Sequence, residues 1–77
     1  MEITPSKFKS LNLNQRGEIT FQTNMIAKRS YYNQTLCLYD LGNFFVEVWY
    51  EIESNTVRDI TVVEDMKIVD RYIDAEL

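Results

Sequence analysis

Histidine is absent from the 77-residue chain, which also has only one cysteine, one proline and two glycines. Without histidine there is no imidazole for acid–base catalysis, for activation of a nucleophile or for zinc binding. The single cysteine, Cys37, excludes an intramolecular disulfide, and its neighbours Leu36 and Leu38 indicate a packing residue rather than a nucleophile. Gly17 and Gly42 are too far apart to form a phosphate-binding loop. We therefore predict no catalytic residue, no metal site and no cofactor.

Long hydrophobic runs are also missing. The longest uninterrupted apolar run is Leu36–Tyr39, whereas a membrane-spanning helix needs about 20 apolar residues. The first ten residues contain no apolar segment of the kind found in secretory signal peptides, so we expect a cytoplasmic protein that does not contact a membrane. A chain of this length is typical of one domain. We predict a single small domain, 1–77, with residues 1–10 as a flexible arm.

The net charge of −4 is the sum of two unlike halves. Residues 1–33 contain five basic and two acidic residues, whereas residues 34–77 contain three basic and ten acidic ones. Such asymmetry indicates either that the halves pack against each other or that one half binds a charged partner, and we favour the first. The best candidate for a nucleic-acid site, Lys28-Arg29 beside two tyrosines, is too small a basic patch. We expect no nucleic-acid partner.

The first half of the chain contains the signals of a helix. Asn12 followed by Gln15 is the pattern of a helix N-cap with a reciprocal capping box. We predict a helix from Asn12 to a stop near Asn24, preceded by the arm that Phe8 anchors. Several β-branched residues near its end favour strand, which leaves open an earlier start of the first strand.

From Met25 onward the period of two fits better, as expected for antiparallel strands. We predict an α+β fold in which the N-terminal helix packs on an antiparallel meander of three to four strands. Asp65 is placed to cap a helical C-terminal segment, although weak alternation in that segment leaves a further strand open. The turns are expected at Asn33-Gln34, around Gly42 and at Glu53–Asn55.

The turn around Gly42 predicts the register of the sheet. A type I turn with Gly42 at positive φ would pair Tyr39 with Asn43. A similar turn with Asn55 in the left-handed conformation would pair Val48 with Ile60. The even-numbered residues would then form one apolar face that the N-terminal helix covers, made of Leu36, Leu38, Phe44, Val46, Val48 and Tyr50.

The opposite, odd-numbered face combines large apolar side chains with acids. Exposed patches of this kind are typical of interfaces, because Trp and Tyr dominate binding hot spots. Two alternatives remain open: the C-terminal segment folds back over this face, or the face binds a second copy or another protein. The residues that we predict as an interface are Tyr39, Phe45, Glu47, Trp49, Glu51 and Val63.

The segment Leu38–Tyr50, with its strand FFVEVWY, resembles a group of short uncharacterised bacterial proteins that share an aromatic hairpin and a following turn rich in Glu, Thr and Asn. Residues 11–18 are similar to the helix before that hairpin. The resemblance weakens after Ile60, and the turn Glu51–Asn55 lacks the proline of the group. The resemblance implies the same fold and a bacterial cytosolic setting. It carries over no catalytic or binding residue, because the group has no established activity.

These observations predict a small non-enzymatic protein-interaction module that self-associates or binds a protein partner. The alternative is an acidic inhibitor, similar to an immunity protein, whose second half masks the basic, nucleic-acid-binding surface of its partner. Catalysis by Glu47, Glu51 and Asp59 is a third possibility that we do not favour, because alternating acids on a strand usually form a solvated face.

Overall fold

Four antiparallel strands form a single sheet in which spatial order follows chain order. The computed structural model describes residues 3–75, and the side chains of residues 3–73. Two short helices precede the sheet and a third follows it, which confirms the predicted α+β fold with an antiparallel meander. None of the helices within residues 3–75 is long and apolar enough to cross a membrane. The elements are α1 (Pro5–Lys9), α2 (Leu13–Thr20), β1 (Met25–Tyr31), β2 (Gln34–Asp40), β3 (Phe45–Glu51), β4 (Thr56–Val62) and α3 (Lys67–Ala75).

Helix α1 lies where the sequence indicated a flexible arm. Thr4 caps it by accepting a hydrogen bond from the Lys7 amide (3.1 Å), and Pro5 occupies its first turn, where no N–H is needed. The Phe8 side chain is fully buried and packs edge-on against the Phe44 ring, with 5.7 Å between the centroids. Isolated helices this short are unstable, so the anchor predicted at Phe8 holds α1 in place.

Helix α2 begins as predicted and ends earlier than predicted. The Asn12 side chain accepts a hydrogen bond from the Gln15 amide (2.9 Å), and the Gln15 side chain accepts one from the Asn12 amide (3.0 Å), which completes the capping box. The helix stops at Thr20 rather than near Asn24, and the Thr23 hydroxyl donates to the Thr20 carbonyl (2.7 Å). The β-branched residues at this end lower helix propensity and explain the early stop.

The register of β3 and β4 is the predicted one at Val46 and Val48, but it shifts after Trp49, so that Glu51 pairs with Thr56 and the turn spans Ile52–Asn55 rather than Glu53–Asn55. Val46 lies opposite Val62, Val48 lies opposite Ile60, and Asn55 has the predicted left-handed backbone, with φ 56°. The apolar pattern specified the pairing at the centre of the strands, whereas the turn is one residue longer than predicted and an irregularity in β4 compensates for the extra residue.

The turn between β1 and β2 lies one residue before the predicted position. Tyr31 pairs with Gln34, so the turn residues are Tyr32 and Asn33 rather than Asn33 and Gln34. Tyr32 takes the left-handed conformation, with φ 54°. Tyrosine is uncommon in the left-handed conformation, so the sequence favoured Asn33 and Gln34 as the turn residues.

The predicted register of β2 and β3 is wrong. Tyr39 pairs with Val46 rather than Asn43, and Leu38 pairs with Glu47. Even-numbered residues of β2 therefore share a face with odd-numbered residues of β3. As a consequence, Leu36 and Leu38 lie on the opposite face from Val46 and Val48.

The loop chemistry explains this different register. The Leu41 amide donates to the Phe44 carbonyl (2.9 Å), so the hairpin closes around only Gly42 and Asn43. Gly42 has φ 104°, as predicted, and its amide donates to the Asp40 side chain (2.8 Å). Glycine at positive φ fits a two-residue loop as well as the longer one expected, and the two loops give different registers.

Helices cover both faces of the sheet, but they are offset from each other. Helices α1 and α2 contact β4, whereas α3 contacts β1. The centre of the first core consists of Phe8, Val46, Val48 and Ile60. The centre of the second core consists of Leu36, Leu38 and Tyr72. Each helical layer therefore leaves part of its face open.

Candidate interaction surface

The face predicted to be exposed around Trp49 is the face that α3 covers. Phe45, Trp49 and Val63 pack against the core around Tyr72, and the Val63 amide donates to the Phe45 carbonyl (2.9 Å). The Asp65 side chain accepts a hydrogen bond from the Lys67 amide (2.9 Å) at the start of α3, as its predicted capping role requires. Of the two alternatives that the sequence left open, the C-terminal segment does fold back over this face.

Glu47 is buried beneath α3 instead of lying at the rim of a patch. The residue is 5% exposed, and its side chain accepts a 2.6 Å hydrogen bond from the hydroxyl of Tyr72, which is 1% exposed. A guanidinium nitrogen of Arg29 lies 3.7 Å from the same carboxylate oxygen, and the guanidinium carbon lies 5.2 Å from the centroid of the Tyr72 ring. Burial and the Glu47 carboxylate raise the pKa of Tyr72. These three side chains attach α3 to the sheet.

At one end of this face Trp49 belongs to an aromatic cluster. Its indole N–H donates to the Thr61 hydroxyl (2.9 Å), and its ring meets the Tyr31 ring nearly at right angles, with 6.4 Å between the centroids. Tyr31 contacts Tyr32, which is 88% exposed. Trp49 is half-buried here by Thr61 and Tyr31, which are residues of the same chain.

Glu51, the last acid of the predicted interface, lies on the same face but outside the α3 core. It pairs with Arg58 at 2.8 Å and accepts a hydrogen bond from Ser54. Together with Tyr31 and Tyr32 it lines a cavity of about 360 Å³.

Tyr39 is separated from the other five predicted interface residues by the thickness of the sheet. The corrected register places it on the α2 face, where its ring meets the Phe21 ring edge-on, with 5.8 Å between the centroids. Tyr39 therefore belongs to a different surface from Trp49.

That surface is an apolar groove on the uncovered half of the α2 face. Its volume is about 420 Å³, and Phe21 and Met25 are 52% and 46% exposed beside it. Among residues 3–73, Lys28 is the only charged residue that lines it. Its principal residues, which define the open groove, are Phe21, Met25, Cys37, Tyr39, Tyr50 and Val57.

Two groups in the open groove have altered acidity. Burial raises the pKa of the Cys37 thiol, an effect that the nearby charge of Lys28 partly offsets. Burial also raises the pKa of Tyr39, and Cys37 adds to that rise. Both groups are therefore neutral at pH 7, and the groove offers aromatic, thioether and aliphatic surface rather than reactive groups.

The sequence contained a signal for this groove. Cys37 and Tyr39 alternate with Leu36 and Leu38, so β2 is apolar on both faces and requires cover on both. Helix α2 has eight residues and spans only about 12 Å, whereas four strands about 4.8 Å apart form a wider sheet. A helix of this length leaves part of the face uncovered.

Ion pairs join the basic and the acidic half of the chain. Arg16 lies 3.4 Å from Asp59, and Lys9 pairs with Glu64. The pair of Arg29 with Glu47 also connects the two halves. These contacts agree with the expectation that the halves pack against each other within one fold.

The three carboxylates considered for catalysis have separate partners. Glu47, Glu51 and Asp59 pair with Arg29, Arg58 and Arg16, respectively. The negative charge of each carboxylate is thus compensated by the positive charge of its own arginine.

Comparison of the chain with protein-family models, with curated proteins and with solved structures found no match. The resemblance to a bacterial group stays a prediction.

Proposed function

We propose that this protein is a non-enzymatic protein-interaction module that binds its partner through the open groove. The observation that carries the proposal is the exposure of Phe21 and Met25 beside Tyr39 and Tyr50 on a half-covered sheet face. Contiguous apolar surface in a concave site favours protein binding, and aromatic residues supply much of the binding energy in such sites.

The edges of the sheet support binding through a face rather than by strand addition. The outer strand β1 has an irregular register between Met25 and Ala27 and carries the exposed Lys28. The other outer strand, β4, is irregular opposite the Trp49/Tyr50 step of β3. Bulges and charged side chains are the usual means by which edge strands avoid pairing with other chains.

The alternative function, an acidic inhibitor of a basic partner, has weaker support. Glu47, Glu51, Asp59 and Glu64 pair with cations of the same chain. An inhibitor complex of that kind would weaken steeply with added salt, whereas a complex formed mainly by the apolar residues of the open groove would weaken much less.

Cys37 allows a direct test, because it is the only thiol of the chain and lines the groove. Its rate of alkylation should be compared in intact cells of the native host and in dilute purified protein at the same pH. We expect strong protection in cells, since a bound partner covers the groove. The control chain combines Cys37→Ser with Ser54→Cys, which moves the thiol to the exposed β3–β4 turn and should label equally in both settings. Equal labelling of Cys37 in both settings would contradict the proposal.

A further inference from the structure

We propose that the occupant of the open groove is a second copy of this chain, bound across a two-fold axis that passes close to Phe21. This inference rests on the proposed function and names the partner. The surface around Phe21 supports this inference, because it is complementary in shape and in charge to the same surface of a second copy.

The shape argument concerns the two cavities on either side of Phe21. One is the open groove. The other, of about 450 Å³, runs along α2 and is lined by Leu13, Gly17 and Glu18. Phe21 and Val57 line both cavities, so the exposed Phe21 ring separates two neighbouring hollows. A two-fold axis brings the same patch of both copies together, and each Phe21 can then enter a hollow of the other copy.

Gly17 lines the second hollow beside the Phe21 ring. A Cβ atom at position 17 would lie 3.4 Å from that ring and 3.7 Å from the Ile60 side chain. These are ordinary van der Waals distances, so position 17 lies in close contact with Phe21 at the boundary between the two hollows.

The charge argument concerns Glu18 and Lys28, which are both exposed. Glu18 lines the cavity along α2, and Lys28 lines the open groove. Neither forms an ion pair within residues 3–73. A two-fold axis near Phe21 places Lys28 opposite Glu18 of the partner subunit, and the symmetry repeats this contact. An unrelated partner would not require opposite charges on the two sides of Phe21.

The expected dimer is a transient one. The groove and the flank of α2 occupy only part of one face of a small protein, and interfaces at the small end of the size range are typical of weak complexes. We expect a dimer whose population rises with protein concentration in the micromolar range.

Charge reversal tests this arrangement through sedimentation equilibrium. Glu18→Lys and Lys28→Glu should each raise the dissociation constant at least tenfold, because each creates two like-charge contacts across the axis. The double variant should restore the dimer. An equimolar mixture of the two single variants should form a mixed dimer, since both contacts are then between opposite charges. Circular dichroism checks that these exposed substitutions leave the fold intact.

Matched controls change the net charge equally at positions away from the groove. Glu53→Lys, in the β3–β4 turn, and Lys7→Glu, on α1, should leave the dissociation constant within about twofold of the wild-type value. A wild-type chain that stays monomeric up to about 1 mM would overturn the inference, as would a dimer that is indifferent to charge at positions 18 and 28. Where the wild-type chain stays monomeric, protection of Cys37 in cells would still support binding of another protein, so the two proposals fail separately.

Discussion

Glu47 shows how a single buried carboxylate organises one side of this protein. It accepts a hydrogen bond from Tyr72 and lies beside Arg29 under α3. A buried acid is tolerated only where donors and a cation replace water. Sequence alone could not identify this role, because Arg29 and Tyr72 are far from Glu47 along the chain and meet it only in the folded sheet.

Tyr72→Phe should lower the free energy of unfolding by about 1–3 kcal/mol, since Glu47 would lose its hydroxyl donor while remaining buried. Urea unfolding followed by Trp49 fluorescence measures this difference. Tyr32→Phe is the matched control, because the Tyr32 side chain is almost fully exposed, and it should change stability by less than about 0.5 kcal/mol. Equal effects of the two substitutions would contradict the proposed role of Tyr72.

The same pair predicts a pH dependence. The folded protein raises the pKa of Tyr72 above its ordinary value of 10.0, so it holds the phenolic proton more tightly than the unfolded chain does. The stability contributed by Tyr72 is therefore fully present below pH 10 and is lost as pH rises beyond it. The stability difference between wild type and Tyr72→Phe should shrink above pH 10. A difference that grows there would contradict this reasoning.

Among the elements, those specified by local chemistry could be predicted from the sequence. The N-cap of α2 and the left-handed turn residue Asn55 depend on residues close together in the chain. The register of β2 and β3 could not be predicted, because Leu36 and Leu38 alternate with Cys37 and Tyr39 and give β2 two apolar faces. The hydrophobic pattern then fits either register, and the loop decides between them.

Helix α2 should depend on its N-cap residue, Asn12, for stability. Asn12→Ala should lower the free energy of unfolding by about 1 kcal/mol, because the Gln15 amide loses its acceptor. Asn14→Ala, at the exposed second residue of the same helix, should be neutral or slightly stabilising, since alanine has the higher helix propensity. Thermal and urea unfolding of the two variants provide the measurement. A destabilisation by Asn14→Ala as large as that by Asn12→Ala would show that the cap contributes nothing specific.

Across the whole molecule, the offset between the two helical layers determines which surface is available for binding. Helix α3 covers the Trp49 side, while α1 and α2 cover only the β4 side of the other face. The sequence predicted correctly that large aromatic residues line an incompletely covered sheet. It predicted all of these residues on one exposed face, but α3 packs on most of that face and Tyr39 lies on the other, because the pattern did not determine the register that separates Tyr39 from Trp49. The open groove, with Phe21 and Met25, is the apolar surface that the helices leave uncovered on the Tyr39 side of the sheet.

A proton NMR dilution series tests the central claim most directly, because it reports on both faces of the sheet in one experiment. The account predicts that the Met25 methyl and the Phe21 and Tyr39 ring signals shift as the protein is diluted, while the indole N–H signal of Trp49 stays constant. The opposite result, a shift of the Trp49 signal with constant signals from the groove, would contradict it.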